Sequence, residues 1–304
     1  MKPLVLKFGG ELIEDPARLQ TIVAAIARMV GTGGRRPTAV GVTPERNGAR
    51  VSGVGVEPHA FPLVIVHGGG REIDAALKAA GVEKRQVEGL RITDEPTLDI
   101  VVSVLAGAVN TRLVAALATA GVPAVGLTGA DGPCGLSVAA DAHQTVDGDR
   151  VDLGRVGVPA DGADVRLLQT LVGERFVPVV ASIGIDTEGR LLNVNADTFA
   201  GHLAARLGAR RLVIAGTTPG VLGSHGATLP SIDANGIADL VAGRTATAGM
   251  IAKLRACEHA LANGVDDVVI VDGRDGAALE AAASGATLEK ATRFQRDAVA
   301  EGAV

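Results

Sequence analysis

Three short apolar runs in this chain end in the same way. Leu4–Phe8 runs into Gly9-Gly10, Leu63–Val66 into His67-Gly68-Gly69-Gly70, and Ala124–Leu127 into Gly129-Ala130-Asp131-Gly132. The runs are rich in Val, Ile and Leu and are apolar without alternation, which suits strands buried on both faces of a parallel sheet. Val177–Ile183, Leu212–Ala215 and Val268–Val271 have the same character. Helical stretches separate them. Asp15-Pro16 reads as a cap followed by proline at the first helical position, opening a helix to about Val30. Pro96 opens a second, long helix through Ala120 that Gly121 ends. Thr198–Leu207, Ala234–Ala242 and Ala246–Asn263 are further helices. Strand–helix alternation of this kind predicts an α/β chain, a three-layer αβα sandwich around a mostly parallel central sheet.

Two segments break the rhythm. Ser137–Val156 alternates polar and apolar residues around Asp147-Gly148, a two-residue hairpin signal. Residues 31–62 are rich in Gly and Pro and read as a surface excursion, with Asn47-Gly48 as a second hairpin candidate.

The glycine clusters stand at the carboxyl ends of strands, where open α/β sheets bind ligands. Glycine lets the backbone approach a ligand, and helix N-terminal amides point at anions. There is no Walker A or GxGxxG pattern, so neither a P-loop enzyme nor a dinucleotide binder is indicated. Lys7 is the odd residue of the first strand. A buried lysine is costly without an anion, although a strand-end lysine commonly reaches solvent. Asn193-Val194-Asn195-Ala196-Asp197 precedes a helix, where an Asn or Asp cap is expected; the same residues also offer donors and a carboxylate to a site.

Composition removes other classes. The net charge is −5 without a Lys/Arg run, and Trp and Tyr are absent, so nucleic acid has neither a basic stripe nor a stacking platform to meet. The segment Met1–Glu11 does not read as a signal peptide, and no segment reaches the ~20 apolar residues expected of a membrane span. With only Cys134 and Cys257, and scattered His, the chain suits the cytoplasm and gives no transition-metal motif.

The motifs KFGG, VIVHGGG, GLRITD, LAGAVNTRLV, AVGLTGADG, PVVASIG, NVNADTFAGHLAARLGA, PGVL, GMIAK and VIVDGR run in this order from Lys7 to Arg274. In that combination the chain resembles the acetylglutamate kinase branch of the amino-acid-kinase family. The resemblance implies the amino-acid-kinase (carbamate-kinase-like) fold, with residues 1–207 as a lobe for N-acetylglutamate and dimerisation and residues 208–304 as a lobe for ATP. It implies that Lys7 and Lys253 stabilise the transferring phosphoryl group and that Asp197 orients them. Gly9 and Gly10 would face the phosphates, and Gly69 and Gly70 would line the acylamino acid. Arg91 and Asn193 would bind its α-carboxylate end. Thr217, Gly220, Leu222, Thr245 and Thr247 match nucleotide-contacting stretches, with Thr217 where many members carry Asp. The implied reaction is ATP- and Mg²⁺-dependent phosphorylation of the γ-carboxylate of N-acetyl-L-glutamate, a step of arginine biosynthesis.

Elementary chemistry agrees with those roles. A γ-carboxylate, with an ordinary pKa of about 4.3, is ionised at neutral pH and needs no general base. The difficulty is bringing one anion against a polyanion, which two lysines, Mg²⁺ and converging amides address. Arg91 can hold a carboxylate by two parallel hydrogen bonds, which a lysine cannot. Two other readings are a kinase for a related carboxylate, such as carrier-bound α-aminoadipate, and a non-catalytic sensor that keeps the fold; retention of Lys7, Asp197 and Lys253 together argues against the second. A homodimer is expected through the apolar helix from Pro96. Arginine-inhibited members have an extra N-terminal helix; the first strand here starts at about Leu4, so no inhibition by arginine is expected.

Overall fold

The structure, a computed structural model, describes residues 2–31, 61–145, 147–223, 225–242, 248–286 and 288–295. Most of the excursion at 31–62, with its Asn47-Gly48 hairpin candidate, lies outside them, as do Thr245 and Thr247.

The first strand β1 (Leu4–Phe8) ends in Gly9 and a single turn α1 (Gly10–Ile13). Helix α2 (Pro16–Met29) follows, and the Asp15 carboxylate accepts from the Arg18 amide at 2.9 Å, as the Asp-Pro pair predicts. Strand β2 (Leu63–His67) leads through the glycines into α3 (Gly70–Ala79). A small hairpin, β3 (Gln86–Val87) and β4 (Leu90–Arg91), comes next.

The long helix runs as α4 (Glu95–Val102), a π-helical stretch Ser103–Val109, and α5 (Asn110–Thr119). Its continuity matches the sequence. The π register does not show there, because the same side chains satisfy either hydrogen-bond spacing. The expectation that no segment could span a membrane needs correcting: Glu95–Thr119 is long and apolar enough by composition, with 39% of its most apolar window buried in the fold. Leu98, Val101, Leu105, Val109, Leu113 and Leu117 account for much of that apolar character and pack into the core.

Strand β5 (Ala124–Thr128) is followed by β6 (Ser137–Ala139), β7 (His143–Gln144), β8 (Arg150–Val151) and β9 (Val156–Pro159). β7 and β8 form the hairpin around Asp147-Gly148, but the turn is wider than two residues. The Thr145 amide donates to Asp149 O at 2.8 Å and the Asp149 amide to Thr145 Oγ1 at 3.0 Å, which closes the strands one step further out. Helix α6 (Arg166–Gly173) precedes β10 (Val177–Ala181). The apolar run then breaks at Ser182, and β11 (Ile183–Ile185) pairs antiparallel with β12 (Leu191–Val194). The predicted strand Val177–Ile183 is thus two strands in two sheets.

Helix α7 (Ala196–Arg206), capped by Asn195, leads to β13 (Arg211–Gly216). Then come β14 (Ser231–Ile232), α8 (Ala234–Ala242), α9 (Ala248–Ala262), β15 (Val268–Asp272), α10 (Gly276–Ser284) and β16 (Ala291–Phe294). The eight-stranded sheet has the order β14-β16-β15-β13-β1-β2-β10-β5. Its one antiparallel pairing is β15 with β16, so the sheet is mostly parallel as expected. A four-stranded sheet, β11-β12-β9-β6, stands beside it.

β1 lies at the centre, paired with β2 on one side and β13 on the other. Alternation sends Leu4, Leu6 and Phe8 into the core shared with α2, the long helix and α10. Val5 faces the opposite core, with α7 and α9. Lys7 shares the face of Val5, so its side chain is directed to where α7 and α9 bring Asp197 and Lys253.

Candidate active site

Lys7 does not reach solvent: the residue is 4% exposed, and its Nζ lies 2.6 Å from Asp197 Oδ1. Lys253 Nζ lies 3.1 Å from Asp197 Oδ2. One buried carboxylate is therefore shared by two ammonium groups, from β1 and α9. Burial pushes the Lys7 pKa down and the neighbouring Lys253 adds to this, while Asp197 opposes them; the net result is below the ordinary lysine value. Burial acts to raise Asp197, but Lys7 and Lys253 reverse this and hold its carboxyl below the usual aspartate range. The cluster is anionic only at Asp197 and carries a net positive charge, which an incoming anion would complete.

The backbone around it is tight. A Cβ on Gly10 would stand 2.7 Å from Gly69 Cα and 3.2 Å from Gly70 N, so the turns after β1 and β2 are in backbone contact. Gly69 caps α3 without any side-chain bond, which leaves first-turn amides directed into the cleft. The cleft holds about 310 Å³ and is lined by Lys7, Gly9, Gly10, Gly69, Gly70, Arg91, Asn193 and Asp197. Every one of these was singled out from sequence. Arg91, on β4, bonds Asp74 through Nη2, which also lies 3.4 Å from Gly70 O. Its Nη1 is buried and, among the described residues, meets no hydrogen-bond partner. Asn193 Nδ2 donates to Thr93 Oγ1 at 3.1 Å. The Gly9 amide donates to Ala215 O at 3.4 Å.

The residues expected at the nucleotide are elsewhere. Thr217, at the end of β13, donates to Glu11 Oε1 at 2.8 Å and so ties β13 to α1. Gly220 packs against Thr292, and Leu222 is exposed and bridges to Thr228. None of the three lines the 310 Å³ cleft.

Sequence reasoning missed Ser182, which lines the cleft where the chain leaves the main sheet. Its amide donates to His67 O at 3.2 Å and its carbonyl accepts from Val194 at 3.1 Å. The signal was a lone hydroxyl inside the run Val177–Ile183. Gln86, from the small hairpin, also lines the cleft and carries no sequence signal of its own, whereas Gly89 and Leu90, which line it too, open the GLRITD motif.

Comparison with known proteins places this arrangement among relatives. The amino acid kinase family matches residues 2–272. The acetylglutamate kinase of Novosphingobium aromaticivorans is 38% identical over 282 residues, covering 90% of this chain and 84% of that protein. The acetylglutamate kinase of a Bradyrhizobium species is 43% identical over 224 residues, 72% of this chain and 74% of that protein. The solved carbamate kinase of Giardia superposes with a TM-score of 0.64 at 13% identity, over 97% of this chain and 99% of its own, a likeness of fold alone.

Proposed function

The chain belongs to the amino acid kinase family, on its acetylglutamate kinase branch, and from that premise we propose that it phosphorylates the γ-carboxylate of N-acetyl-L-glutamate with ATP, a step of arginine biosynthesis. The observation that carries the reading is Asp197 held between Lys7 and Lys253 at the edge of a cleft that Arg91 lines, its Nη1 without a hydrogen-bond partner among the described residues.

In the reaction an oxygen of the ionised γ-carboxylate attacks the γ-phosphorus of ATP. The bond from that phosphorus to the β,γ-bridging oxygen breaks, and ADP leaves. No proton needs to move, and Asp197, with an oxygen on each lysine, serves as an organiser. Lys7 and Lys253 neutralise charge on the phosphoryl oxygens in flight. The amides of Gly10 and Gly69 face the same oxygens, and the contact between their two turns sets the spacing. Gly69 and Gly70 line the acylamino acid. Arg91 and Asn193 hold its α-carboxylate, which a guanidinium can grip with direction as well as charge. Mg²⁺ enters as part of the nucleotide substrate: both oxygens of Asp197 are engaged, and among the described residues no group of three His, Cys, Asp or Glu could hold a metal.

Residues 1–207 carry the acylamino-acid side and residues 208–304 the nucleotide side, with the β1–β13 pair as the seam. Gly9, at that seam, faces the phosphates, and Thr217, Gly220 and Leu222 belong to the nucleotide side; Thr245 and Thr247, outside the described residues, are assigned to the nucleotide by resemblance alone. The enzyme works in the cytoplasm as a homodimer. β5 ends the large sheet with half-exposed residues, and Ile100, Val102, Ala106 and Val114 of the long helix are only partly buried.

Trapping the acyl phosphate with hydroxylamine tests the activity. Hydroxamate that depends on Mg²⁺, ATP and N-acetylglutamate is expected; folded protein that gives none above the enzyme-free control overturns the reading.

A further inference from the structure

Behind the second glycine turn lies a polar pair that the reaction does not use. His67, the last residue of β2, is fully buried, and Asn110, the first of α5, is 4% exposed. Asn110 Nδ2 lies 2.8 Å from Val179 O, 3.0 Å from His67 Nε2 and 3.4 Å from Leu127 O. Two of those neighbours are carbonyls, which only accept, so the amide nitrogen and not the amide oxygen must face them. An amide nitrogen only donates. His67 Nε2 must then be the bare nitrogen, and the ring proton sits on Nδ1, which lies 3.4 Å from Gly68 O. Burial holds the ring neutral, with its pKa lowered to about 4.

The surroundings are shaped around Asn110. A Cβ on Gly126 of β5 would stand 2.1 Å from Asn110 Oδ1, so only glycine at that position leaves room for the side chain. The π-helical stretch ends where Asn110 begins. Its Leu105 and Val109 would meet a Cβ on Gly69 at 3.0 Å and 3.2 Å. One helix therefore braces the glycine turn twice, with apolar side chains against Gly69 and with Asn110 through His67 against Gly68. π registers recur at functional sites because they re-aim side chains within a helix.

We infer that Asn110, acting through His67, is a positioning residue that sets the Gly68–Gly70 turn at the phosphoryl-transfer site. It touches no substrate, and its effect is to keep the amides of Gly69 and Gly70 in the orientation that Gly68 O and the ring proton impose. The inference concerns the acetylglutamate kinase reading and deepens it.

The test has two arms, the first independent of turnover. ¹H–¹⁵N NMR of the wild-type protein should find His67 protonated on Nδ1 alone, and Asn110→Ala should lose that single tautomer and move the amide resonances of Gly69 and Gly70. In the second arm, His67→Leu should lower kcat/KM for N-acetylglutamate by roughly tenfold to a hundredfold, as a small misplacement does, with KM for ATP changed less than about twofold. His67→Asn, whose amide can replace the Nδ1 donor, should recover most of the loss. A wild-type ring protonated on Nε2, or glycine amides unmoved in Asn110→Ala, overturns the inference. So does a His67→Asn variant no better than His67→Leu when both melt alike. If the wild type turns over no N-acetylglutamate, the proposed function fails, and the NMR arm still decides the positioning claim.

Discussion

Gly10→Ala is the sharpest steric test of the site. The added Cβ would stand 2.7 Å from Gly69 Cα, 3.2 Å from Gly69 C and 3.2 Å from Gly70 N, whereas ordinary contact begins at 3.4 Å. All three obstacles are backbone atoms, so no side chain can rotate away. The two turns must part by about 0.7 Å, the gap between 2.7 and 3.4 Å. Such overpacking costs about 1–3 kcal/mol of stability, a fall of a few degrees in Tm for a chain of this size. The catalytic loss is larger in proportion: a misplacement of about 1 Å commonly costs on the order of a hundredfold, so kcat/KM should fall by roughly tenfold to a hundredfold. The assay is hydroxamate formation at varied N-acetylglutamate, alongside a thermal melt. Gly173→Ala is the control, because its Cβ would meet nothing within 4 Å and it lies at the end of α6, away from the cleft. Gly10→Ala activity within about threefold of wild type would refute the claim that the turn-to-turn contact sets the spacing of the reacting groups.

Other outcomes follow from the same geometry. Lys253→Ala should lose mainly kcat, because its charge acts in the transition state, whereas Arg91→Ala should mainly raise KM for N-acetylglutamate; steady-state kinetics separate the two, and opposite signatures would reverse the roles. Because burial lowers the pKa of Lys7 in the free protein, its ammonium is lost at lower pH than that of an exposed lysine, so kcat/KM, which reports the free enzyme, should fall as pH rises before the ordinary lysine range is reached; a pH–kcat/KM profile flat into that range would contradict this. Asp197 has a lowered pKa, so the stability from its ion pairs is complete above the ordinary aspartate value and fades as pH falls through the lowered one. Asp197→Asn should flatten that acid limb in thermal melts across pH. Light scattering after size exclusion should give twice the chain mass, and a monomer would remove the assignment of β5 and the long helix to a dimer interface.

Much of this protein is legible locally. The β-branched runs became the central strands, Asp15-Pro16 and Asn195 became helix caps, and the glycine clusters lie where β1 and β2 end. Lys7 could be picked out because a charge inside an apolar strand needs an anion. Such features depend on neighbours a few residues apart, through periodicity, capping bonds and turn conformation, and a linear reading captures them.

The remainder depended on which elements meet. Composition does not distinguish α from π spacing in Ser103–Val109, and it does not say that the chain leaves the main sheet at Ser182. Lys7, Asp197 and Lys253 lie far apart in sequence, and only the registers of β1 with its neighbours and the packing of α7 against α9 bring their charges within 2.6 and 3.1 Å. Gly126 and Asn110 likewise fit each other across the space between β5 and α5, a match no periodicity encodes. The sequence by itself determined which residues could serve. The tertiary structure decided which of them share a cleft, because sheet register and close packing set distances between residues that the chain leaves far apart.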